Sequence, residues 1–202
     1  MNLGERQMQD AFGTRQQADA FHTRQTLDHL SDTMQSFIGR QRMIFLATAG
    51  ANGDCDSTFR AGPPGFVRVL DEEHVSWPEY RGNGVMASLG NITENPHVGL
   101  LFVDFDEVIG LHVNGTAEIV EDPDDQLDTP PGLRARLWVV ARVQEAYIHC
   151  AKHIPRLVEI PRQRGRNSSG EQPKKSDYFV PDPARGHRYS SSGGAAPAHR
   201  DR

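Results

Sequence analysis

The sequence lacks the features that direct a chain to an oxidising compartment or into a membrane. Cysteine is scarce, since Cys55 and Cys150 are the only two among 202 residues, too few for a disulfide framework. No apolar run approaches the roughly 20 residues that span a bilayer. The first residues, up to Phe21, are polar and contain no apolar core for export. We therefore expect a cytoplasmic protein with reduced thiols and no membrane partner.

The chain also lacks the excess of positive charge that a general nucleic-acid-binding protein carries. Its formal net charge is −5 and its hydrophobic content is 37%, which is ordinary for a soluble protein. Positive charge is concentrated in residues 161–202, where nine Lys or Arg stand against four Asp or Glu. We therefore expect no nucleic acid as a partner.

Composition divides the chain into three predicted parts. Residues 1–40 form an N-terminal helical segment, residues 41–160 a central β domain, and residues 161–202 a largely disordered C-terminal tail. The tail is rich in Ser, Gly, Pro, Ala and Arg, and such a segment cannot bury enough apolar surface to offset the entropy lost on ordering.

Residues 5–40 contain no proline and show the periodicity of helices. Apolar side chains recur there at spacings of three and four, which marks one buried face. Asp28 or Ser31 would cap the second helix. The apolar positions are Leu27, Leu30, Met34, Phe37 and Ile38.

From Met43 the pattern changes to that of short strands. Asn52-Gly53 between two such runs is a strong hairpin signal, and a short helix interrupts the series after Tyr80. The spacing predicts about seven strands and favours a mainly β fold, an antiparallel barrel with flanking helices. The predicted strands are MIFLATA, CDSTFR, FVRVL, HVSWP, HVGLLFVDF, VIGLHVNGTAEIVE and RLWVVARVQEAYIHC.

The turn at residues 81–84 has the composition of an anion-binding backbone. It lies between a strand and the helix VMASLGNI, whose N-terminus would offer free N–H groups and a partial positive charge. Arg81 adds a full charge, Gly82 lets a ligand approach the backbone, and Asn83 and Ser88 add donors. A plain surface turn is the alternative interpretation.

A second group of residues predicts a pocket beside this turn. The strand at residues 66–70 would alternate its side chains between two faces, and the neighbouring strand ends in aromatic residues. Such walls beside an anion site indicate a pocket for a planar, phosphorylated ring system. The residues that would line it are Arg60, Phe66, Val67, Arg68, Val69, Trp77 and Tyr80.

The block STFRAGPPGFVRVLDEEHVSWPEYRGNGVMASLGNITENPHVGLLFVDF resembles the pyridoxamine 5'-phosphate oxidase-like family of flavin-nucleotide-binding split barrels. The later stretches GLHVNGTAEIVED and AYIHCAKHIPR are similar to the same family, so the resemblance covers residues 5–160. It implies a split β-barrel with FMN as cofactor. It also implies a homodimer with two FMN sites at the subunit interface, each built from both chains. The implied activity is an FMN-dependent oxidoreduction, with two electrons passing to or from a small organic substrate.

The resemblance further implies roles for matched positions. Residues 66–69 would run along the isoalloxazine, with backbone amides facing the polar edge of the ring. Trp77 and Pro78 would lie at the ring or the ribityl chain. Residues 81–83 stand where the oxidases carry a Ser-Arg-Lys phosphate-binding segment, but the lysine is missing here. His149 and Lys152 would reach the flavin site of the partner subunit.

Other functions stay open beside the flavin enzyme. One is a non-catalytic flavin-binding protein that acts as a redox carrier or sensor. Another is a relative that binds a deazaflavin, which would need more cations than Arg60, Arg68 and Arg81 supply. A third is a haem-binding relative, for which His112 or His149 would be the axial ligand. No catalytic acid or base is assigned, and no metal site is predicted, because the Cys and His near residue 150 lack the spacing of a ligand set.

Overall fold

The structure, a computed structural model, describes residues 2–80, 82–121, 134–160 and 179. The chain divides into two compact units, Met1–Glu159 and Ile160–Arg202. Every helix and strand of the described residues belongs to the first unit. Arg81 and, except for Phe179, the predicted tail at residues 161–202 lie outside the described residues.

In the described part of the chain, three α-helices occupy the N-terminal segment and a fourth lies between strands. They are α1 (Leu3–Ala11), α2 (Arg15–Gln25), α3 (Asp32–Arg40) and α4 (Ala87–Glu94). Ser31 caps α3, because its side chain accepts a hydrogen bond from the amide of Met34 at 3.4 Å. Phe37 and Ile38 of α3 are buried, as the apolar periodicity predicts.

Seven strands of the described residues form one sheet in which all neighbours are antiparallel. Their order across the sheet is β2-β1-β5-β6-β7-β4-β3. Antiparallel neighbours need only short connections, which explains why the strands follow one another so closely in the sequence. The strands are β1 (Met43–Ala49), β2 (Cys55–Ala61), β3 (Arg68–Val69), β4 (His74–Glu79), β5 (His97–Asp104), β6 (Ile109–Glu121) and β7 (Leu137–His149).

The predicted hairpin at Asn52-Gly53 is confirmed, since β1 and β2 pair from Met43 with Ala61 to Ala49 with Cys55. The long pair β6–β7 contains a register shift between Asn114 and Gly115. A side chain at position 115 would place its Cβ 1.9 Å from the carbonyl oxygen of Arg142. Only glycine therefore fits at this irregularity.

The core lies on the sheet face that α4 covers where it packs against β1 and β6, while α3 packs against β3. Burial of these apolar side chains is the main stabilising contribution to the fold. The largest fully buried side chains are those of Trp77, Phe102, Leu30, Ile38, Ile44, Leu46, Leu100, Val67, Val75, Val113 and Val139.

The prediction of a full strand at residues 66–70 is wrong. Only Arg68–Val69 pair with β4, and the side chains of Phe66 and Val67 are both buried instead of alternating. The amide of Phe66 donates to the carbonyl oxygen of Pro63 at 2.9 Å, so that these residues form a turn. Proline and glycine before position 66 favour that turn over an early start of the strand.

Candidate functional site

Arg60, one of the predicted cofactor residues, is held by an ion pair inside the chain. Its Nε lies 3.0 Å from Oε1 of Glu79, and its Nη1 donates to the hydroxyl of Thr58 at 2.9 Å. The indole N–H of Trp77 donates to the same Glu79 oxygen at 3.2 Å. The side chains of the ion pair are only 19% and 11% exposed. Because Glu79 balances the charge of Arg60, little of that charge remains for a phosphate.

The apolar residues of the predicted pocket contribute mainly to the core. Trp77 is 0%, Val67 1% and Phe66 5% exposed, and Pro78 is buried as well. Their side chains therefore have little surface to offer a ligand, and contact with a cofactor would fall to their backbone. The assignment of these residues and of Val69 to a cofactor site stays a prediction.

Arg68 and Tyr80 are the predicted residues that bring polar groups to the surface at the β3 edge of the sheet. The guanidinium of Arg68 lies 4.1 Å from the centroid of the Trp138 ring, within range of a cation–π interaction. Burial raises the pKa of Tyr80, and the positive charge of Arg68 opposes that rise. Among the described residues Arg68 makes no ion pair, so its charge is available to an anionic ligand.

The glycine turn does not run directly into the helix. α4 begins at Ala87, and its N-cap residue, Met86, has a left-handed backbone (φ 55°) and no capping side chain. The side-chain oxygen of Asn83 accepts a hydrogen bond from the amide of Val85 at 3.0 Å. Gly82 is exposed with open space beside it, as a backbone that receives a ligand requires.

Ser88 lies in the first turn of α4, where sequence analysis places a phosphate donor. Its hydroxyl already donates to Oδ2 of Asp56 at 3.0 Å, and the residue is only 4% exposed. A phosphate at this helix end would meet the like charge of Asp56, which opposes its binding. The physical case for an anion in this region therefore rests more on Arg68 than on Ser88.

A pair of histidines occupies the face of the sheet opposite the buried core. Nε2 of His112 lies 2.8 Å from Nδ1 of His149, although the two residues are 37 positions apart in the sequence. The ring of Tyr147 stacks on that of His112 with centroids 4.7 Å apart. A Cβ at Gly110 would lie 2.7 Å from the Cβ of His149, so glycine there makes room for the pair. Lys152 follows in an exposed 3-10 helix, Ala151–His153.

Burial and a like-charged neighbour disfavour the protonated form of His112. Burial lowers the pKa of His112, His149 lowers it further, and the carboxylate of Glu145 acts in the opposite direction. Glu145 is itself held by the side chain of Asn114, which donates to its Oε1 at 2.9 Å. Sequence analysis singled out both histidines but missed Tyr147, Glu145 and Asn114. The alternation of β6 and β7 is the only sequence signal that could have placed all five on one face.

The histidine pair predicts that the protein loses stability in mild acid. A histidine with a lowered folded-state pKa contributes fully above its unfolded pKa of about 6.5, and this contribution is lost as the pH falls below that value. We expect the free energy of unfolding, measured with urea, to fall between about pH 7.5 and pH 5.5. The fall should be smaller in His112→Gln, which keeps a hydrogen-bonding side chain.

The matched control is His97→Gln, a substitution of an exposed histidine on β5. His29, whose pKa the hydrogen bond to Asp28 raises, acts with the opposite sign but is present in every variant and cancels. Equal pH dependence in wild type and His112→Gln would contradict the assignment.

The same sheet face carries a row of mainly aromatic side chains, here called the aromatic row. Phe59, Phe45, Leu101, His112 and Tyr147 stand directly opposite one another on neighbouring strands. Opposed residues share a face. Phe45 and Phe59 remain 37% and 49% exposed and contact each other edge-on, with centroids 5.5 Å apart. Two adjacent exposed aromatic rings are typical of a surface that contacts another molecule.

Two further properties of the described part of the chain bear on function. None of its helices has the length and apolar character that a membrane crossing requires. Nowhere in residues 2–80, 82–121, 134–160 or 179 do three His, Cys, Asp or Glu side chains come together as metal ligands.

A family model described as pyridoxamine 5'-phosphate oxidase matches residues 30–150. This range is more than half of the chain and contains all seven strands. The chain therefore belongs to the pyridoxamine 5'-phosphate oxidase-like family, and its fold is the mainly antiparallel β structure with flanking helices of that family's split barrels. The predicted family and fold class are confirmed. No curated protein is significantly similar to the chain.

Three solved structures are distantly similar to the chain. A candidate pyridoxamine 5'-phosphate oxidase of Lactobacillus delbrueckii is 25% identical, with 61% of this chain and 98% of that chain covered and a TM-score of 0.45. For HupZ of Group A Streptococcus the identity is 22%, the coverage 59% and 93%, and the TM-score 0.46. The conserved hypothetical protein Rv2991 of Mycobacterium tuberculosis is 19% identical, with 73% of this chain and 99% of that chain covered and a TM-score of 0.47. The family assignment therefore rests on the family model.

Proposed function

We propose that this protein is an FMN-dependent oxidoreductase that transfers two electrons to or from a small organic substrate. The observation that carries the proposal is the family match over residues 30–150, which contains the whole sheet. Bound FMN would supply the redox chemistry, while the chain would bind the cofactor and orient it.

The charges of the described residues fit a flavin nucleotide at the β3 edge of the sheet. FMN ends in a phosphate, which needs cations and N–H donors. Arg68 lies over the Trp138 ring and makes no ion pair among the described residues. Gly82 exposes its backbone two residues after Tyr80, on whose hydroxyl the charge of Arg68 acts. Arg81 would add a second cation. Arg60, whose charge Glu79 balances, would position Glu79 and Trp77 instead.

We further propose a homodimer that buries the aromatic row. Support comes from Phe45 and Phe59, whose rings would leave water on association. His149 ends β7 and contacts His112 on the same face, and Lys152 follows three residues later, consistent with their proposed reach to the flavin site of the partner subunit. A cofactor site shared between chains would make dimerisation a condition for activity.

The dimer proposal predicts that Phe59→Asp is a monomer. A charge buried within an apolar interface costs several kcal/mol because it is desolvated without a partner. Analytical ultracentrifugation should give the mass of two chains for the wild type and of one chain for the variant. Phe12→Asp, a change at an exposed residue after α1, should remain a dimer. A monomeric wild type, or a dimeric Phe59→Asp, would contradict the proposed interface.

The FMN proposal is tested by the absorption spectrum and by titration of the apo protein. We expect flavin bands in the purified protein and saturation near one FMN per chain. A Soret band would identify haem instead, for which the His112–His149 pair would have to separate. Preference for a deazaflavin would show in competition with FMN. A protein that binds neither flavin would overturn the proposal.

Turnover separates an enzyme from a flavin carrier or sensor. The bound flavin should be reduced anaerobically and then mixed with oxygen and with a panel of small organic acceptors. Reoxidation by one acceptor at a saturable rate supports the oxidoreductase. A flavin that binds and is reduced but exchanges electrons with no acceptor would support the non-catalytic role.

We also propose a cytoplasmic location. Cys55 and Cys150 are free and exposed in the described part of the chain, a state that a reducing compartment preserves. Fractionation of cells that express the chain would test this, and recovery from the membrane or secreted fraction would overturn it.

A further inference from the structure

A cavity of about 490 Å³ lies between the N-terminal helices and β7. It contains none of the residues assigned to the flavin. Its volume is within the range of roughly 300–1,000 Å³ that small-molecule sites occupy. The lining residues are Asn2, Glu5, Phe21, His22, Glu145 and Tyr147.

The walls of the cavity are fixed by contacts on both sides. The segment after α2 is held to β7 by two backbone hydrogen bonds between Leu27 and Ala146, of 3.0 and 2.8 Å. α1 is joined to α2 by the ion pair of Arg6 with Asp19 at 2.6 Å. The cavity is therefore formed before any ligand binds, which lowers the entropic cost of binding.

One wall of the cavity is aromatic. The rings of Phe21 and Tyr147 meet edge to face, with centroids 5.9 Å apart and planes at 82°. Tyr147 is held in this orientation because its ring also stacks on His112 at 4.7 Å. The faces of such rings carry negative potential and attract cations.

Two carboxylates complete the charge of the cavity. Glu145 is half-buried and is oriented by Asn114 through one oxygen. Glu5 accepts a hydrogen bond from the amide of Asn2 at 3.0 Å. Among the described residues no Lys or Arg lines the cavity, and the nearby Arg6 is neutralised by Asp19. The N-terminus of α1 adds a partial positive charge of about one half. The two negative charges of the carboxylates outweigh it, so the net charge of the cavity lining is negative.

We propose that this cavity binds a small organic cation, an amine or quaternary ammonium compound with apolar substituents. The carboxylates attract the charge, and the rings of Phe21 and Tyr147 contact the substituents while interacting with the cation. A bare metal ion fits less well, because the volume is large and no three His, Cys, Asp or Glu side chains of the described residues converge as metal ligands. The proposal does not rest on the proposed flavin chemistry, although Tyr147 also belongs to the row of side chains proposed as the dimer interface.

The proposal is tested with choline and its uncharged isostere 3,3-dimethylbutan-1-ol on the full chain. Isothermal titration should show one choline per chain. Choline should bind about 2- to 30-fold more tightly than the isostere, the range expected for a cation–π contribution. Equal affinity for the two, or binding of neither, would overturn the proposal.

Matched variants place the binding in this cavity. Glu145→Gln removes the charge but keeps an acceptor for Asn114, and should weaken choline by about 3-fold while leaving the isostere unchanged. Glu118→Gln, at an exposed position of β6, should have no effect. Phe21→Leu keeps apolar volume without the ring and should lower the preference for choline. Thermal unfolding checks that each variant folds, and identical choline affinity in Glu145→Gln and Glu118→Gln would place the ligand elsewhere.

Discussion

Replacing Trp77 by alanine should lower the free energy of unfolding by about 3–5 kcal/mol, the cost of removing a large aromatic side chain from a core. The Trp77 side chain has no exposed surface, so its removal leaves a cavity that the surrounding strands can fill only in part. The loss also removes the indole donor from Glu79. Unfolding in urea, extrapolated linearly to water, measures the difference.

The matched variants for Trp77 separate a core role from a cofactor role. Trp77→Phe keeps most of the buried volume, so we expect a smaller loss of stability and unchanged affinity for FMN. Phe59→Ala, a truncation at an exposed aromatic residue, should change the stability of the monomer little. A loss below about 1 kcal/mol in Trp77→Ala would contradict the packing described for this residue. A large loss of FMN affinity in Trp77→Phe would show that the indole contacts the cofactor.

Replacing Arg81 by alanine should weaken FMN binding by about 1.5–3 kcal/mol, the range for hydrogen bonds to charged groups. This corresponds to a dissociation constant about 10- to 150-fold higher. The reason is the full charge that Arg81 brings to the glycine turn, where the oxidases' lysine is missing. Fluorescence titration of the apo protein with FMN measures the change, and riboflavin, which lacks the phosphate, should bind both proteins equally.

Two further arginines serve as comparisons for Arg81. Arg156→Ala removes a guanidinium that pairs with the exposed Asp106 and should leave FMN affinity unchanged. Arg68→Ala removes the cation that lies on the Trp138 ring. If Arg68→Ala weakens FMN while a folded Arg81→Ala does not, the phosphate contacts Arg68 and the role proposed for the glycine turn is wrong.

The sequence predicted the elements whose signals are local. The hairpin at Asn52-Gly53, the cap at Ser31 and the alternating pattern of β7 each depend on a few neighbouring residues. The prediction of a strand at residues 66–70 was wrong, although it also relied on a local pattern. The apolar residues of that segment resemble a strand, but Phe66 forms a turn with Pro63. The predicted start of α4 was two residues early, since Met86 adopts a left-handed backbone instead of the first helical turn.

The candidate site depended far more on pairing between distant segments. Sequence analysis treated Arg60 as a cation for phosphate and Ser88 as a donor, but the fold brings Glu79 to the first and Asp56 to the second. Such partners depend on the register of strands and on the approach of a helix. A shift of register by one residue would turn each side chain to the opposite face.

By itself, therefore, the sequence determined the family, the mainly β class with flanking helices, and the succession of strands. The fold class and the strands could be predicted because hydrophobic periodicity and turn residues act over a few neighbouring positions, whereas the family was predicted from the resemblance of a long block of sequence. Only the tertiary structure decided that His112 meets His149, that Arg68 remains available, and that helices α1 and α2 form an open cavity with β7. These arrangements join residues far apart in the chain. Their geometry is fixed by the packing of the whole sheet.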